Sequence, residues 1–176
     1  HREAKEGLGP AYLAGFDWAF ERGYERIVEM DADGSHRAQD LYKLLEVDAD
    51  LVIGSRWISG GAVVNWPISR KLISRIGNLY TRLMLGTKVR DMTAGFRCYK
   101  VSLLKQLPLQ QVSSHGYSFQ VEMAWRSIQQ QASVKEVPIT FVERELGASK
   151  MNTAIVLEAL WLVSKWGLAR LFKRSV

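Results

Sequence analysis

Two carboxylates, Asp31 and Asp33, stand two residues apart just after the short apolar run Arg26-Ile27-Val28. That run is typical of the end of a buried strand, and alternate residues of a strand point the same way, so both side chains can face one point in space. Their hard oxygen donors suit Mg²⁺ or Mn²⁺, especially where phosphates complete the coordination shell. The same spacing also occurs in loops and helix caps, so a structural turn stays open as the alternative.

The neighbouring elements place this pair at the edge of a predicted sheet. A strand from about Glu25 to Met30 runs into the acidic loop, a helix carries Leu41, Leu44 and Leu45, and a second buried strand covers Asp50 to Gly54. This order predicts a parallel βαβ unit with a right-handed crossover. Ligands of open α/β sheets bind beyond the carboxyl ends of the strands, where Arg56 also falls, which favours the metal-site interpretation.

A second polar group lies on a helix predicted from about Pro67 to Leu85. At about 100° per residue, the helix has an apolar stripe formed by Ile68, Leu72, Ile76, Leu79 and Leu83. The opposite, polar side carries Arg70, Ser74 and Asn78. A basic flank between them carries Lys71, Arg75 and Arg82. Arg70 and Ser74 are one turn apart, just after a connection opened by Ser59-Gly60-Gly61. Their guanidinium fork and hydroxyl suit a phosphate. For Lys71 and Arg82 we favour a solvated basic face.

The remaining segments add further candidates. A strand is predicted from Val134 to Val142, and in the charged loop that follows, Arg144 and Lys150 can reach an anion or be ordinary surface charges. The segment from Thr153 to Arg174 is predicted to be helical and falls short of the ~20 apolar residues that span a bilayer. Its tryptophans and terminal cations favour an interfacial helix on anionic lipid. A helix docked on its own domain is the alternative.

Composition limits the classes of protein that these motifs serve. The 176 residues, 47% of them hydrophobic, fit one globular domain, and the net charge of +6 suits anionic partners. The single cysteine, Cys98, excludes an internal disulfide and fits a reducing compartment or the cytosolic face of a membrane. The first residues are typical of a loop before a helix, so we expect a fragment without its N-terminal strands.

Motifs in a fixed order extend over nearly the whole chain: Gly7-Leu8-Gly9-x-Ala11-Tyr12, Met30-Asp31-Ala32-Asp33-x-Ser35-His36, Gly54-Ser55-Arg56-Trp57, Asn65-Trp66-Pro67-x-x-Arg70, Asp91-x-Thr93-x-Gly95-Phe96-Arg97, Gly116-Tyr117-x-Phe119-Gln120-x-Glu122-Met123, Glu136-Val137-Pro138 and Gly147-x-Ser149-Lys150. In these motifs the chain resembles the dolichol-phosphate (polyprenol-phosphate) mannose synthases of bacterial type. These are inverting family 2 glycosyltransferases. The resemblance implies an α/β GT-A fold with a mixed sheet flanked by helices, here lacking its first strands.

The resemblance also implies the reaction and the roles of residues. Mannose would pass from GDP-mannose to a polyprenyl (dolichyl) phosphate at the cytosolic face of a membrane. By the resemblance, Asp31 and Asp33 hold the metal with Ser35 as a further ligand. Ala32, Arg56, Arg144 and Lys150 bind the donor, while Arg70 and Ser74 receive the lipid phosphate. Asp91 is the candidate to orient the acceptor or act as a base, with a cap on the loop beside Arg90 as the alternative.

Two units and several competing functions follow from this interpretation. We expect a partial catalytic domain over residues 1–150 and an interfacial helix over residues 151–176. The protein is expected to be peripheral to the membrane. A membrane-anchoring domain or subunit is a further expected partner, and nucleic acid is not. The fragment alone is expected to be weakly active or inactive. The alternatives are a sister transferase that uses a UDP-sugar, a Mg²⁺-dependent Asp-x-Asp phosphatase, and a non-catalytic membrane-docking domain.

Overall fold

The computed structural model describes residues 7–112, 114, 117–143 and 153–173. The helices are α1 (Leu8–Glu21), α2 (Ala38–Leu45), α3 (Ile68–Leu85), α4 (Val101–Gln106), α5 (Tyr117–Gln129) and α6 (Thr153–Lys173), with a 3₁₀ turn at Leu109–Gln111. The strands are β1 (Arg26–Glu29), β2 (Leu51–Ser55), β3 (Ala62–Val64), β4 (Arg97–Lys100), β5 (Val134–Pro138) and β6 (Thr140–Val142).

The main sheet has the strand order β1-β4-β2-β5. Strand β4 is antiparallel to both β1 and β2, whereas β2 and β5 are parallel, so β1, β2 and β5 all run in one direction. The predicted parallel relation of β1 and β2 is therefore confirmed, but β4 lies between them. Both strands end at the same edge of the sheet, which places the acidic loop and Arg56 there as expected.

A small second sheet closes this edge. The single strand predicted over residues 134–142 is wrong, because β5 ends at Pro138 and β6 leaves the main sheet to pair with β3. Ile139 makes the switch, since its N–H donates to the Ser55 carbonyl at 3.1 Å and its carbonyl accepts from Ala62 N at 2.9 Å. Gly61 permits the close approach of the β2–β3 connection, because a Cβ there would lie 2.6 Å from the Ser55 carbonyl oxygen.

Apolar side chains fill both faces of the main sheet. On one face Leu51, Ile53 and Tyr99 pack in a large cluster with residues of α1, α3, α4, α5 and α6. On the other face Val52 and Cys98 pack with Leu44 of α2. The alternation along β2 and β4 follows the two-residue period of a strand, and it confirms Cys98 as a core residue. A sheet covered on both faces is the expected α/β architecture.

Helix α3 turns its polar side inward. Asn78, Thr81 and Leu85 are buried, whereas the predicted apolar stripe lies at the surface, with Ile68, Leu72, Ile76, Leu79 and Leu83 all exposed. The polar side can be buried because Asn78 is satisfied there: its Nδ2 donates to Thr93 Oγ1 at 3.1 Å, and its Oδ1 accepts from Met92 N at 2.8 Å. Single exposed apolar residues are common on protein surfaces, but a continuous stripe of this length is not.

Helix α6 docks on the domain through one face and leaves the other exposed. Val163 is buried against the core, and Ser164 Oγ lies 2.6 Å from the Tyr80 hydroxyl of α3. Trp161, Leu168 and Phe172 are exposed. The docked interpretation is therefore confirmed for one face of the helix, and the interfacial interpretation stays a prediction. Within the described ranges, no helix is both long enough and apolar enough to cross a membrane.

Candidate active site

The acidic loop folds back on itself directly after β1. Asp31 N donates to His36 Nδ1 at 3.0 Å, and Asp33 Oδ1 accepts from both Ser35 N at 3.0 Å and Ser35 Oγ at 2.5 Å. Gly34, with φ of 80°, supplies the left-handed residue that this turn requires. The loop thereby fixes the orientation of the Asp33 carboxylate and places the Ser35 hydroxyl on that carboxylate.

The buried His36 side chain holds the acidic loop through its hydrogen bond with Asp31. Its ring is buried between Phe96 and Phe141, with ring centroids 4.9 and 5.3 Å away. Burial lowers the pKa of His36, the nearby Arg56 charge lowers it further, and Asp31 opposes both effects. A neutral ring whose Nδ1 accepts the Asp31 N–H fits this environment, as expected for a histidine that serves as a hydrogen-bonding partner in the loop.

Arg56 and Asp91 form a buried ion pair at the end of β2. Asp91 is fully buried, and its carboxylate accepts from Arg56 N at 2.9 Å, Nε at 2.8 Å and Nη2 at 2.7 Å. The Arg56 side chain is 8% exposed. A bidentate pair shielded from water fixes the guanidinium plane. Asp91 is thus the residue that holds Arg56 in place.

The environment of Asp91 favours its charged form. Burial alone would raise the pKa of this carboxyl, but the charge and hydrogen bonds of Arg56, with a further bond from Thr93, hold the pKa below its ordinary value. The loop that carries Asp91 is fixed in turn by Glu136, which accepts the N–H groups of Arg90 and Asp91 at 2.8 and 3.0 Å. A carboxylate in this state is a poor base and a good anchor.

An aromatic cluster, formed by Trp57, Trp66 and Phe141, separates the acidic loop from the arginines of α3. Ring centroids of Trp66 and Phe141 are 5.4 Å apart, and those of Trp57 and Trp66 are 6.3 Å apart. Arg70 lies 4.0 Å above the Trp66 ring and pairs with Glu143 at the end of β6. The Arg56 guanidinium carbon lies 5.7 Å from the Phe141 centroid, so Arg56 and Arg70 both contact this cluster.

The structure thus brings most of the predicted site residues to one edge. Asp31, Asp33 and Arg56 all act on the charge of His36, and Arg70 reaches the same aromatic cluster. Ser74 is one turn after Arg70 on α3, and its carbonyl accepts from Asn78 at 3.0 Å. Ala32 is exposed in the acidic turn. Arg144 and Lys150 lie outside the described residues.

Sequence reasoning missed the residues that hold these side chains. Asn78 links α3 to Thr93 and to the Asp91 loop, and Glu143 pairs with Arg70. The only sequence signal for Asn78 was a polar residue one turn after Ser74 on the same side of the helix. Glu143 gave no sequence signal beyond its charge, because its partner Arg70 is 73 residues away in the chain.

The acidic loop has the donors that a hard divalent cation prefers. Asp31 is 44% exposed and so open to a ligand. Among the described residues, no group of three or more His, Cys, Asp or Glu side chains could hold a metal ion by itself. The two carboxylates can supply part of the shell of a divalent cation that takes its other ligands from phosphate oxygens and water. GT-A glycosyltransferases generally use such a divalent metal.

Comparison with known proteins places the chain in a family. The family model described as glycosyl transferase family 2 matches residues 1–108. The chain belongs to this family. It is 56% identical over 171 residues to an undecaprenyl-phosphate mannosyltransferase from Micrococcus luteus, covering 96% of this chain and 70% of that protein. It is 52% identical to a polyprenol monophosphomannose synthase from Mycolicibacterium smegmatis, covering 96% of this chain and 64% of that one.

Solved structures confirm the fold. The Mycobacterium tuberculosis glucosyl-3-phosphoglycerate synthase in complex with uridine diphosphate has a TM-score of 0.58 at 15% identity, covering 96% of this chain and 56% of that one. The same enzyme with phosphoglyceric acid has a TM-score of 0.57 at 16% identity, covering 98% and 56%. At this identity the likeness concerns the fold alone. The predicted glycosyltransferase family and GT-A fold are confirmed, and the chain spans little more than half of these solved chains.

Proposed function

We propose that the protein transfers mannose from GDP-mannose to a polyprenyl phosphate. The observation that carries this proposal is the arrangement around the aromatic cluster, with two carboxylates in a rigid turn on one side and Arg56 and Arg70 beside the rings. Such a site can hold a diphosphate through a divalent cation while it receives a second anion close by. The names of the two mannosyltransferase relatives support the sugar and the lipid acceptor.

The acidic loop is assigned to the leaving group. Asp31 and Asp33 would hold Mg²⁺ or Mn²⁺ against the donor diphosphate, with Ser35 orienting Asp33 through its 2.5 Å hydrogen bond. When bound, the metal stabilises the negative charge that develops on the departing GDP. Ala32 lies at the exposed crest of the turn, where it would contact the nucleotide sugar. Arg144 and Lys150 are assigned to the donor by the family resemblance.

The arginine side is assigned to the acceptor. A phosphate monoester has a second pKa near ~6 and is largely dianionic at neutral pH, so its oxygen attacks the sugar carbon without a strong base. Arg70 and Ser74 would hold this phosphate, with Arg70 exchanging Glu143 for the ligand. Asp91 would then act on the reaction through Arg56 as a positioning residue, because its carboxylate is fully buried and already paired.

A peripheral position on a membrane follows from the lipid acceptor. Helix α6 and the exposed stripe of α3 present large apolar side chains, Trp161 and Phe172 among them, next to lysines and arginines. Such surfaces favour binding at the headgroup region of anionic membranes. We therefore retain the division into a catalytic unit over residues 1–150 and an interfacial helix over residues 151–176.

Transfer of labelled mannose from GDP-mannose to a short polyprenyl phosphate tests the proposal. The assay uses the protein that carries this chain, with UDP-glucose as the competing donor. Asp33→Ala and EDTA should each reduce turnover about 100-fold or more, since metal stabilisation of the leaving group supplies several kcal/mol. The exposed Asp17→Ala, which removes the same charge from α1, should leave turnover unchanged. Turnover that survives both Asp33→Ala and EDTA would refute the metal assignment, and preference for the UDP-sugar would refute the donor.

A further inference from the structure

A cationic cavity of about 210 Å³ opens on the flank of α3, and Arg70 is not in its lining. Its lining consists of Trp57, Arg75, Asn78, Leu79, Arg82 and Arg90. Three of these six residues are arginines and none is acidic. Arg75 and Arg82 are seven residues apart, and they lie on one side of the helix because this spacing is close to two full turns. The cavity therefore combines a concave shape with converging positive charge.

Two hydrogen-bond donors in this cavity have no partner within the described part of the chain. They are Trp57 Nε1 and Arg82 Nε, both shielded from solvent. A buried donor without an acceptor is costly, so such groups usually mark the place of a ligand or an ordered water. Arg75 lies 4.9 Å from the Trp57 ring centroid, which places a second cation close to the Trp57 donor. An oxygen-rich anion supplies the acceptors that such donors lack.

The nearby carboxylates are engaged elsewhere. Asp91, behind Asn78, is paired with Arg56 at 2.7 Å. The Glu136 carboxylate accepts the backbone N–H groups of Arg90 and Asp91 at 2.8 and 3.0 Å. Neither appears in the lining of the cavity, so the cavity keeps a strongly positive character. An anion with a full charge is the ligand that this environment favours.

The surface beside the cavity is apolar. Leu79 lines the cavity and also belongs to the exposed stripe of α3, in which Leu72 is 54%, Ile76 63% and Leu83 71% exposed. A ligand that fills the cavity with its charged group thus has its remainder next to aliphatic side chains. Among phosphate-bearing molecules, this pattern matches a phospholipid, with a phosphate in the cavity and acyl chains along the stripe.

We propose that this cavity binds the phosphate of an anionic membrane lipid, as a second anion site on the flank of α3 adjacent to Arg70 and Ser74. The site would seat the α3 stripe in the bilayer with a defined rotation. It requires no bond making or breaking, and it stands whether or not the transfer reaction proposed above is correct.

Vesicle binding with charge-preserving variants tests this site. The chain is mixed with phosphatidylcholine vesicles, with or without phosphatidylglycerol, and sedimented. Trp57→Phe and Arg82→Lys keep net charge but remove the two unpartnered donors, and each should weaken binding to the anionic vesicles several-fold. The double variant Arg75→Gln/Arg82→Gln should weaken it about 25-fold, since each basic residue near an anionic surface is worth roughly fivefold. The control Arg22→Gln/Lys105→Gln removes the same charge at an exposed position just after α1 and another on α4, and its vesicle binding should fall far less.

The outcomes separate a built site from general attraction. Thermal melting first checks that each variant is folded. The proposal is overturned if Trp57→Phe and Arg82→Lys bind anionic vesicles as tightly as the parent does. It is also overturned if the control pair loses as much vesicle affinity as the cavity pair. Titration with inorganic phosphate identifies the source of the ligand. Binding of inorganic phosphate as tight as that of the vesicles would overturn the lipid assignment, whereas weak, competitive binding supports it.

Discussion

Replacing Asp91 by asparagine should remove the anchor of Arg56 while leaving the shape of the site unchanged. The carboxylate accepts three hydrogen bonds from Arg56, all between 2.7 and 2.9 Å, and is fully buried. Asparagine keeps the volume, so no cavity forms. Its NH₂ group, however, faces N–H donors, and the Arg56 charge stays buried without a counter-charge.

The size of this effect follows from the burial of both partners. Removing one member of a buried, hydrogen-bonded pair typically costs about 3–5 kcal/mol. With Asp91 fully buried and Arg56 only 8% exposed, solvent cannot screen the loss. For a domain whose free energy of unfolding is about 5–15 kcal/mol, the variant is strongly destabilised. The midpoint of urea unfolding should fall by roughly 2 M at unchanged m-value.

The pH dependence of this difference has a defined sign. The folded-state pKa of Asp91 is lowered from the ordinary 3.8, so its contribution to stability is fully present above that value. It is lost as pH falls through the lower folded-state pKa, because protonation breaks the ion pair. The gap in unfolding free energy between parent and Asp91→Asn should therefore be full at pH 7 and shrink in acid below about pH 4.

Urea unfolding followed by tryptophan fluorescence measures these quantities. Exposed Asp17→Asn serves as the control and should stay within about 0.5 kcal/mol of the parent. Adding Arg56→Met to Asp91→Asn should cost less than the sum of the single changes, with a coupling of about 1–3 kcal/mol. The view that Asp91 acts through Arg56 would be refuted if Asp91→Asn lowered the free energy of unfolding by less than about 1 kcal/mol. It would also be refuted if the unfolding free-energy changes of the two substitutions were strictly additive.

Three further changes test other contacts. Ser35→Ala removes the 2.5 Å bond to Asp33 and should weaken Mn²⁺-dependent GDP binding about 10-fold; unchanged titration curves would show that Asp33 needs no such support. Glu143→Gln frees Arg70 from a partly exposed ion pair and should tighten binding of a phosphate monoester up to about fivefold, with weaker binding as the contrary result. Ile76→Gln, at a side chain 63% exposed, should leave the melting temperature unchanged but reduce vesicle binding, and a clear drop in stability would mean that the stripe is packed.

The sequence was sufficient to place the strands whose pattern is local. Runs such as Leu51-Val52-Ile53, followed by a polar residue at the strand end, predicted β2 correctly. The position of β4 between β1 and β2 was not predicted, because pairing of Cys98 with both Val28 and Val52 depends on contacts distant in sequence. The break at Ile139 was also missed, since the apolar pattern continues through it while its hydrogen bonds pass to another sheet.

The 3.6-residue period predicted α3 but could not say which of its faces is buried. Hydrophobicity favours burial of the stripe that includes Leu72 and Leu83, yet both are exposed. Asn78 is buried instead, because Met92 and Thr93 satisfy its amide group. A polar face can be buried when another segment supplies its hydrogen-bond partners, and the sequence of the helix alone does not indicate which residues those partners are.

The two acid–arginine pairs differ in a way that assigns them different tasks. Arg56 and Asp91 are buried, so exchanging that carboxylate for a ligand phosphate would leave the Asp91 charge buried without its partner, which is costly. Arg70 and Glu143 have side chains 24% and 26% exposed, so the second pair can open at little cost. A site that brings two anions together needs one cation that stays fixed and another that changes partner. On these grounds we propose Arg56 as the fixed cation and Arg70 as the one that would receive the incoming phosphate.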